Sequence, residues 1–261
     1  MARPTRVSRT LSQNFLADRA TADRLARLAV PPGRTAPLLL EVGAGKGALT
    51  AALAPRCTRL LAYEIDPRLV PGLRTRFSDA PQVRVVAGDF LAARPPGTPF
   101  SVAGNVPFSR TAAVVDWCLR ARTLTDATLL TQLEYARKRT GDYGRWTLLT
   151  VRTWPRFQWR LVARIDRSRF TPVPRVDAGV LRLERRRTPL LGPADEARWR
   201  DLVALGFSGV GGSLHASLRR AHPARRVDAA FRAAGLDPRA PVGEVAPDHW
   251  LLLYAVLHAA R

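Results

Sequence analysis

The sequence predicts an α/β protein, a Rossmann-like domain followed by a small α-helical domain, on three observations. Short apolar runs alternate with amphipathic stretches through the first half of the chain, as in a series of βαβ units. A glycine-rich segment follows the first of these apolar runs directly, where a strand gives way to a helix. Helical spacing dominates the last quarter. We therefore expect an α/β domain over residues 1–187 and a helical domain over residues 188–261.

The individual elements follow from periodicity and from the residues that interrupt it. Predicted strands are apolar runs that end at glycine, proline or polar residues, at 38–42, 60–64, 83–86, 100–103, 127–132, 158–165 and 178–183. Predicted helices have apolar residues three and four positions apart, at 21–30, 48–53, 67–77, 111–119, 194–203, 227–234 and 247–260. The domain boundary is placed where Arg185-Arg186-Arg187 runs into Pro189 and Gly192, because proline and glycine interrupt regular structure.

The charge balance is the most unusual property of the composition. The chain of 261 residues has 42 lysines and arginines against 21 acidic residues, a formal charge of +21. A field of this sign attracts polyanions, so nucleic acid or an anionic membrane surface is the expected partner. Residues 1–13 carry several of the arginines and are expected to form a flexible basic arm.

Several classes of protein are disfavoured by the pattern of apolar residues, cysteines and histidines. The longest apolar run, Trp250 to Leu257, is far shorter than the roughly 20 residues that cross a bilayer, and the N-terminus lacks the apolar region of a signal peptide. A cytoplasmic location is therefore expected. Cys57 and Cys118 are far apart, and the four histidines show no ligand spacing, so neither a disulfide scaffold nor a metal site is expected.

A glycine motif, Gly43-Ala44-Gly45-Lys46-Gly47, follows the first strand of the expected sheet. Glycines there allow a sharp turn and a close approach of ligand to backbone. The spacing is one residue short of the dinucleotide-binding motif, and a Walker loop would have Ser or Thr where Gly47 stands. A tight turn without a ligand remains the alternative for the motif taken alone.

Two acidic residues end the next two strands and favour a nucleoside site. Glu64 lies about 20 positions after Gly43, the offset at which an acid binds a ribose diol. Asp89 ends the third strand, and the carboxyl ends of parallel strands line the ligand crevice of an open sheet. Either acid alone could be a surface carboxylate or a helix cap, whereas all three features together indicate a bound nucleoside.

The end of the fourth strand indicates the class of cofactor. Gly104-Asn105-Val106-Pro107-Phe108 resembles the motif of methyltransferases that modify exocyclic amino nitrogens with S-adenosylmethionine. An amide oxygen can accept a hydrogen of an adenine amino group and free its lone pair for attack, while an aromatic ring stacks on the flipped base. A turn in which Pro107 and Phe108 only pack is the alternative.

The chain also resembles a particular family over roughly residues 8 to 187. In order along the chain, the matching segments are Leu11 to Leu16, the glycine motif, Tyr63 to Pro67, Gly88 to Leu91, Gly104 to Phe108, and Phe170 to Val176. This order is typical of the rRNA adenine N6-methyltransferases. Thr131 to Arg139 and Gly141 to Trp146 are similar to the erythromycin-resistance (Erm) branch. The fold implied is a class I S-adenosylmethionine-dependent methyltransferase domain.

The resemblance implies roles for individual residues. In the cofactor site, Asn14 and Leu16 would close over S-adenosylmethionine, Gly43 would contact its methionine part, Glu64 its ribose and Asp89 its adenine amino group. Gly45 is a further cofactor-binding candidate. In the catalytic site, Asn105 would contact both cofactor and target, next to Pro107, and Phe108 and Phe170 would sandwich the flipped base. The family often has Tyr at the position of Phe108, and Ser109-Arg110-Thr111 also departs from it, which makes Arg110 a candidate to alter RNA contacts or a second methylation.

The implied activity is methyl transfer to N6 of an adenine in 23S rRNA at the macrolide-binding site, which would confer resistance to macrolide-type antibiotics. The expected partner is naked or incompletely assembled 23S rRNA, with no membrane and no obligate protein partner, and the protein is expected to be a monomer. A 16S rRNA adenine dimethylase is the nearest alternative. A DNA adenine methyltransferase and a non-catalytic RNA-binding assembly factor are further alternatives, and the glycine spacing disfavours a nicotinamide dehydrogenase.

Overall fold

A computed structural model describes residues 14–209 and 212–259 of the chain. The expected basic arm at residues 1–13 therefore lies outside the described residues. By its contacts the chain divides into two compact units, which we call the first unit (residues 1–136 and 160–185) and the second unit (137–159 and 186–261).

The first unit is built on a mixed sheet of seven strands, with a separate pair of two-residue strands. The strands are β1 Phe15–Leu16, β2 Leu39–Val42, β3 Leu60–Glu64, β4 Val83–Ala87, β5 Phe100–Asn105, β6 Leu124–Gln132, β7 Phe157–Ile165, β8 Phe170–Thr171 and β9 Ala178–Arg185. The order across the sheet is β4-β3-β2-β5-β6-β9-β7, and β1 pairs with β8. The five strands from β4 to β6 are parallel, and β9 runs antiparallel to β6.

Strand β2 lies inside the sheet between β3 and β5, and its four residues are all buried. Val42, its last residue, lies opposite Tyr63 of β3 and Gly104 of β5. A Cβ atom at Gly104 would come within 2.7 Å of the Val42 carbonyl oxygen, so only glycine allows this approach of β5 to β2. The close pairing brings the carboxyl ends of β2, β3 and β5 to one edge of the sheet, where ligands bind in open α/β folds.

Helices alternate with strands in the first part of the chain and follow one another in its C-terminal part. They are α1 Arg19–Ala29, α2 Ala48–Leu53, α3 Val70–Arg76, α4 Thr111–Arg120, α5 Leu133–Thr140, α6 Leu148–Thr153, α7 Glu196–Gly206, α8 Leu214–Leu218, α9 Ala224–Ala233 and α10 Pro247–His258. Helix α1 begins after Asp18, whose carboxylate accepts a hydrogen bond from the Thr21 backbone N–H at 2.7 Å. Leu25 and Ala26 lie on its buried face, as the helical spacing predicts.

The second unit is helical around a core of its own. Val203, Leu214, Phe231 and Trp250 are among its buried residues, together with Val151 of α6. Hydrogen bonds join residues 137–159 to the C-terminal helices within this unit: the Trp154 indole donates to Asp248 at 2.8 Å, and the Trp199 indole donates to the Arg152 carbonyl at 2.9 Å.

The observed division therefore differs from the expected one in one respect. The break after residue 185 lies two residues before the expected boundary, but residues 137–159 pack with the second unit and were expected in the α/β domain. The α/β Rossmann-like fold itself is confirmed, with the strands close to their predicted bounds. Within the residues that the structure describes, no helix combines the length and apolar character needed to span a membrane.

Candidate active site

A cleft lies at the carboxyl ends of β2, β3 and β5, and it consists of two adjoining cavities. The first is lined by the residues of the β1 segment, the glycine motif and the end of β5, which are Asn14, Phe15, Leu16, Gly43, Ala44, Gly45, Lys46, Ala48, Leu49, Glu64, Asn105, Val106, Pro107 and Phe108. The second extends along the ends of β3 and β4 and is lined in part by Ile65, Gly88, Asp89 and Arg110. Gly43, Glu64 and Pro107 line both cavities, which makes the cleft continuous.

The glycine motif forms a turn in which three backbone donors, those of Ala44, Gly45 and Gly47, are already in use. Gly43 and Gly45 have positive φ, a conformation that side chains disfavour. The Ala44 N–H donates to the Tyr63 carbonyl at 2.9 Å, and the Gly45 N–H donates to the Glu64 carboxylate at 2.7 Å. The Gly47 N–H closes the turn on the Ala44 carbonyl at 2.9 Å. A phosphate-binding loop presents its N–H groups to the ligand, and these three N–H groups already bond to the protein instead.

Glu64 is the buried acid of the cleft. Both of its oxygens accept backbone hydrogen bonds at 2.7 Å, one from Gly45 and one from Asp66, and only 1% of the residue is exposed. Each carboxylate oxygen has two lone pairs, so acceptor capacity remains for a ligand hydroxyl. Because its two backbone partners hold the carboxylate still, Glu64 presents a fixed acceptor to both cavities.

Asp89 lies at the far end of the cleft. One carboxylate oxygen accepts the Leu91 N–H at 2.9 Å, and the other pairs with the Arg110 guanidinium at 2.7 Å. Ile65, directly after Glu64, keeps 43% of its surface exposed within the same cavity. Ile65 thus adds an exposed apolar surface to a cavity that Glu64 and Asp89 also line. Such a surface suits the face of a purine.

Asn105 and Phe108 lie at the near end of the cleft, next to the β1 segment. The Asn105 side-chain N–H donates to the Asn14 backbone carbonyl at 2.6 Å. This hydrogen bond holds the amide in place and leaves its oxygen as the acceptor for another group. Phe108 is half-buried and lines the same cavity, as does Pro107.

One predicted site residue is not brought to the cleft. Phe170 is only 1% exposed and packs in the core of the first unit, where β8 pairs with β1. Its ring does not line either cavity and cannot stack on a base in this conformation. The sandwich of Phe108 and Phe170 is therefore not present; the pairing of Leu16 with Phe170 turns the second ring inward.

Sequence reasoning missed two residues of the cleft, Phe15 and Ile65, and gave Arg110 a different role. Phe15 covers the glycine turn: a Cβ at Gly45 would touch its ring at 3.0 Å, and the Lys46 ammonium lies 5.2 Å from the ring centre. Ile65 and Arg110 line the second cavity. The signal for Ile65 was available, since it is an apolar residue directly after a strand-end acid.

Glu41 lies behind the glycine motif and has an unusual environment. It is completely buried, and among the described residues no hydrogen bond of normal geometry reaches either carboxylate oxygen, so the nearby Thr50 hydroxyl is at most a weak partner. Burial raises the pKa of Glu41 to about 7, the Thr50 hydroxyl opposes this effect, and the nearby charge of Glu64 adds to it. Glu41 does not line either cavity of the cleft.

The residues present fit S-adenosylmethionine. The cleft has two fixed carboxylate acceptors, Glu64 and Asp89, and a ribose diol and an adenine amino group are donors that such acceptors can bind. A Cβ at Gly43 would lie 3.7 Å from the Asn105 carbonyl oxygen, so the missing side chain keeps open the part of the cleft beside Asn105. This fold and this site together define a class I S-adenosylmethionine-dependent methyltransferase.

Comparison with known proteins gives the family. The chain belongs to the ribosomal RNA adenine dimethylase family, whose model matches residues 5–259. An rRNA adenine N-6-methyltransferase of Streptomyces fradiae is 62% identical over 259 residues, which cover 98% of this chain and 80% of that protein. The mycinamicin-resistance protein MyrB of Micromonospora griseorubida is 41% identical over 244 residues, which cover 94% of this chain and 77% of that protein.

A solved structure agrees over almost the whole chain. The crystal structure of the 23S rRNA methyltransferase ErmE has a TM-score of 0.90 and 50% sequence identity, and the match covers 94% of this chain and 99% of that one. The predictions of the family, of the enzyme class and of S-adenosylmethionine as the cofactor are confirmed. The assignment of individual residues to cofactor and target stays a prediction.

Proposed function

We propose that this enzyme methylates N6 of an adenine in 23S rRNA at the macrolide-binding site and thereby gives resistance to macrolide-type antibiotics. The observation that carries the proposal is the placement of the Asn105 amide and the Phe108 ring in one cavity with the glycine turn and Glu64. The choice of 23S rRNA is supported by the similarity to ErmE, and the role in resistance by the similarity to MyrB.

The chemistry requires the adenine amino group to become a better nucleophile. Its nitrogen lone pair is delocalised into the ring, so the free base reacts slowly. The Asn105 oxygen accepts one amino hydrogen, and a backbone carbonyl of the 104–108 motif accepts the other, which lets the nitrogen pyramidalise and direct its lone pair. Phe108 stacks on the base after it leaves the RNA stack. Bound S-adenosylmethionine supplies an electrophilic methyl group on its sulfonium.

The other residues of the site hold the cofactor in this proposal. Asn14 and Leu16 cover it at the near end, Gly43 and Gly45 lie along its methionine part, Glu64 accepts from the ribose hydroxyls, and Asp89 accepts from the adenine amino group. No strong general base is needed, because the N6 proton becomes acidic once the nitrogen carries the new methyl group and then passes to solvent.

The RNA partner is proposed to be naked or incompletely assembled 23S rRNA, bound by a cytoplasmic monomer without an obligate protein partner. The formal charge of +21 supports a polyanionic substrate. We also propose that residues 1–187 form the catalytic part and that residues 188–261 contribute to RNA binding. Within the proposed catalytic part, residues 137–159 are bonded to the C-terminal helices, so we propose that this segment positions the RNA-binding part.

The test compares substrates directly. Purified enzyme is incubated with methyl-labelled S-adenosylmethionine and, in parallel, with naked 23S rRNA, naked 16S rRNA and duplex DNA. The proposal expects label in 23S rRNA alone. Label in 16S rRNA alone would favour the small-subunit dimethylase, and label in DNA a DNA methyltransferase. Binding of RNA without any turnover would favour a non-catalytic assembly factor.

A further inference from the structure

Arg110 occupies an unexpected position at the far end of the cleft. It is the residue before α4 and follows Phe108 by two positions. Its guanidinium donates to the outer oxygen of Asp89 at 2.7 Å, and half of the side chain remains exposed. The sequence made Arg110 a candidate for contacts with RNA, whereas the structure pairs it with the acid expected to bind the adenine of the cofactor.

The ion pair is part of a ligand cavity. Arg110, Asp89, Gly88 and Ile65 line the same cavity, so the guanidinium forms part of its wall. Ion pairs between residues this exposed contribute little to folding, because solvent screens them. The pair is therefore expected to have its main effect on what binds in the cavity.

The geometry restrains the Asp89 carboxylate from both sides. The Leu91 N–H holds one oxygen at 2.9 Å, and Arg110 holds the other at 2.7 Å. With both oxygens engaged, the carboxylate cannot rotate freely, yet each oxygen keeps a lone pair for a further donor. A carboxylate that is already oriented loses less conformational entropy when it accepts a ligand hydrogen bond.

We propose that Arg110 is a positioning residue for the adenine end of S-adenosylmethionine. It orients Asp89 so that the carboxylate accepts a hydrogen from the adenine 6-amino group, and it thereby raises both the affinity for the cofactor and the preference for adenine over a 6-oxo purine. This inference rests on the proposed roles of the cleft residues. A direct contact of Arg110 with an RNA phosphate is the competing possibility, and the test separates the two.

The test is a calorimetric titration of the purified protein with two probes. S-adenosylhomocysteine carries the 6-amino group, and S-inosylhomocysteine carries a 6-oxo group in its place. Arg110→Ala is expected to weaken binding of S-adenosylhomocysteine about fivefold, the size of the entropy lost when one side chain is immobilised on binding. Binding of S-inosylhomocysteine is expected to change by less than about twofold, since Asp89 has no amino group to accept from.

Three further variants sharpen the result. Arg110→Lys keeps a donor for Asp89 and is expected to retain part of the preference. In an Asp89→Ala background, Arg110→Ala is expected to have no additional effect, because the two residues act through one interaction. Arg120→Ala is the matched control: Arg120 lies on the same helix α4, pairs with Asp116 at 2.8 Å, and does not line the cavity. It is expected to bind both probes like the wild type.

Two results would overturn the inference. One is an equal loss of affinity for both probes, which would show a general structural defect. The other is unchanged affinity for both probes together with a higher KM for RNA and a smaller salt dependence, which would assign Arg110 to a phosphate. A failure of the proposed function looks different, because the wild-type protein itself would then fail to bind S-adenosylhomocysteine or to label 23S rRNA.

Discussion

At the scale of single residues, Asn105 carries the chemical part of the proposal. Its side-chain N–H is committed to the Asn14 carbonyl at 2.6 Å, so its oxygen is the group that remains for the target amine. In this proposal the Asn14 carbonyl, which lies just before β1, fixes the amide from outside the sheet. A residue held in this way stabilises the transition state without having to reorient.

We expect Asn105→Ala to lower kcat by about a hundredfold or more, the cost of removing one preorganised polar group from a transition state. Affinity for the RNA is expected to stay within about threefold of the wild type, because base positioning adds little to phosphate-driven binding. Single-turnover methylation and filter binding measure the two quantities. Equal losses of rate and RNA affinity would contradict a catalytic role for the amide.

Glu41 gives a second prediction at this scale, on stability rather than activity. Its pKa is raised from 4.5 to about 7 by burial, so the folded protein keeps a proton that the unfolded chain has lost between those pH values. The free energy of unfolding is therefore expected to fall as pH rises through this window, by up to about 3 kcal/mol. Above pH 7 the full penalty is present.

Glu41→Gln removes the titrating group and is expected to remove this part of the pH dependence. Urea denaturation of both proteins at several values between pH 4.5 and 8 measures the difference, and groups that titrate in both proteins cancel in the comparison. Parallel stability curves for the two proteins across that range would show that Glu41 does not change its protonation on folding.

At the scale of elements, the approach of β5 to β2 holds the site together. Both strands end in residues of the cleft, and their separation depends on Gly104, where a Cβ would lie 2.7 Å from a backbone oxygen of Val42. The backbone of a strand inside the sheet cannot shift without breaking its hydrogen bonds, so a side chain at position 104 is sterically excluded. At Gly72 in α3 a side chain is not excluded, because nothing lies within 4 Å of the position of its Cβ.

Gly104→Ala is expected to destabilise the protein by roughly 1–3 kcal/mol, the usual cost of overpacking. It is also expected to displace Asn105, which is the next residue in the chain. Gly72→Ala is the matched control and is expected to stabilise by roughly 0.5–1 kcal/mol, because alanine is the better helix former. Chemical denaturation measures both changes. A Gly104→Ala protein as stable and active as the wild type would contradict the argument from close packing.

The short pair β1 and β8 shows what sequence patterns could not supply. Two-residue strands carry no periodicity, so neither was predicted, although both lie in segments that the resemblance had singled out. The pairing brings Asn14 and Phe15 to the cleft and turns Phe170 into the core. The sequence motif identified the segment around Phe170. The direction of the Phe170 ring depends on the pairing of β8 with β1, which neighbouring residues in the sequence do not reveal.

At the scale of the whole molecule, the parallel strands and their polar ends were predictable, and the packing of the middle of the chain was not. A buried run such as Leu39–Val42 followed by glycines indicates a strand and its site without further information. Helices α5 and α6 were missed because their tertiary contacts, not their periodicity, define them. Trp154 and Asp248 form a hydrogen bond across 94 positions of sequence, which no local pattern reveals.

The excess positive charge makes RNA binding sensitive to salt. Each phosphate contact on single-stranded RNA contributes a slope of roughly −0.7 to log K against log salt. Arg219 and Arg220 of the second unit are exposed, and replacing both by Ala is expected to weaken RNA binding and to make the slope less negative. Affinity for S-adenosylhomocysteine is expected to be unchanged.

Arg34 and Arg59 provide the control for this pair. Both are exposed near the amino ends of β2 and β3, at the edge of the sheet opposite the cleft. Replacing both by Ala removes the same formal charge as the Arg219 and Arg220 variant does. The slope of log K for RNA against log salt is nevertheless expected to equal that of the wild type. Equal slopes for both double variants would mean that the charge acts as a diffuse field rather than through contacts made by the second unit.

Mass spectrometry of the product tests the central claim most directly. A 23S rRNA transcript is incubated with the enzyme and S-adenosylmethionine, digested into fragments, and searched for methylated nucleosides. We predict methyl groups on N6 of one adenosine at the macrolide-binding site, and at least about a hundredfold less of this product in the same reaction time when Asn105 is replaced by Ala. A methyl group on another atom or another base, or the same yield of product from the Asn105→Ala variant, would contradict the central claim.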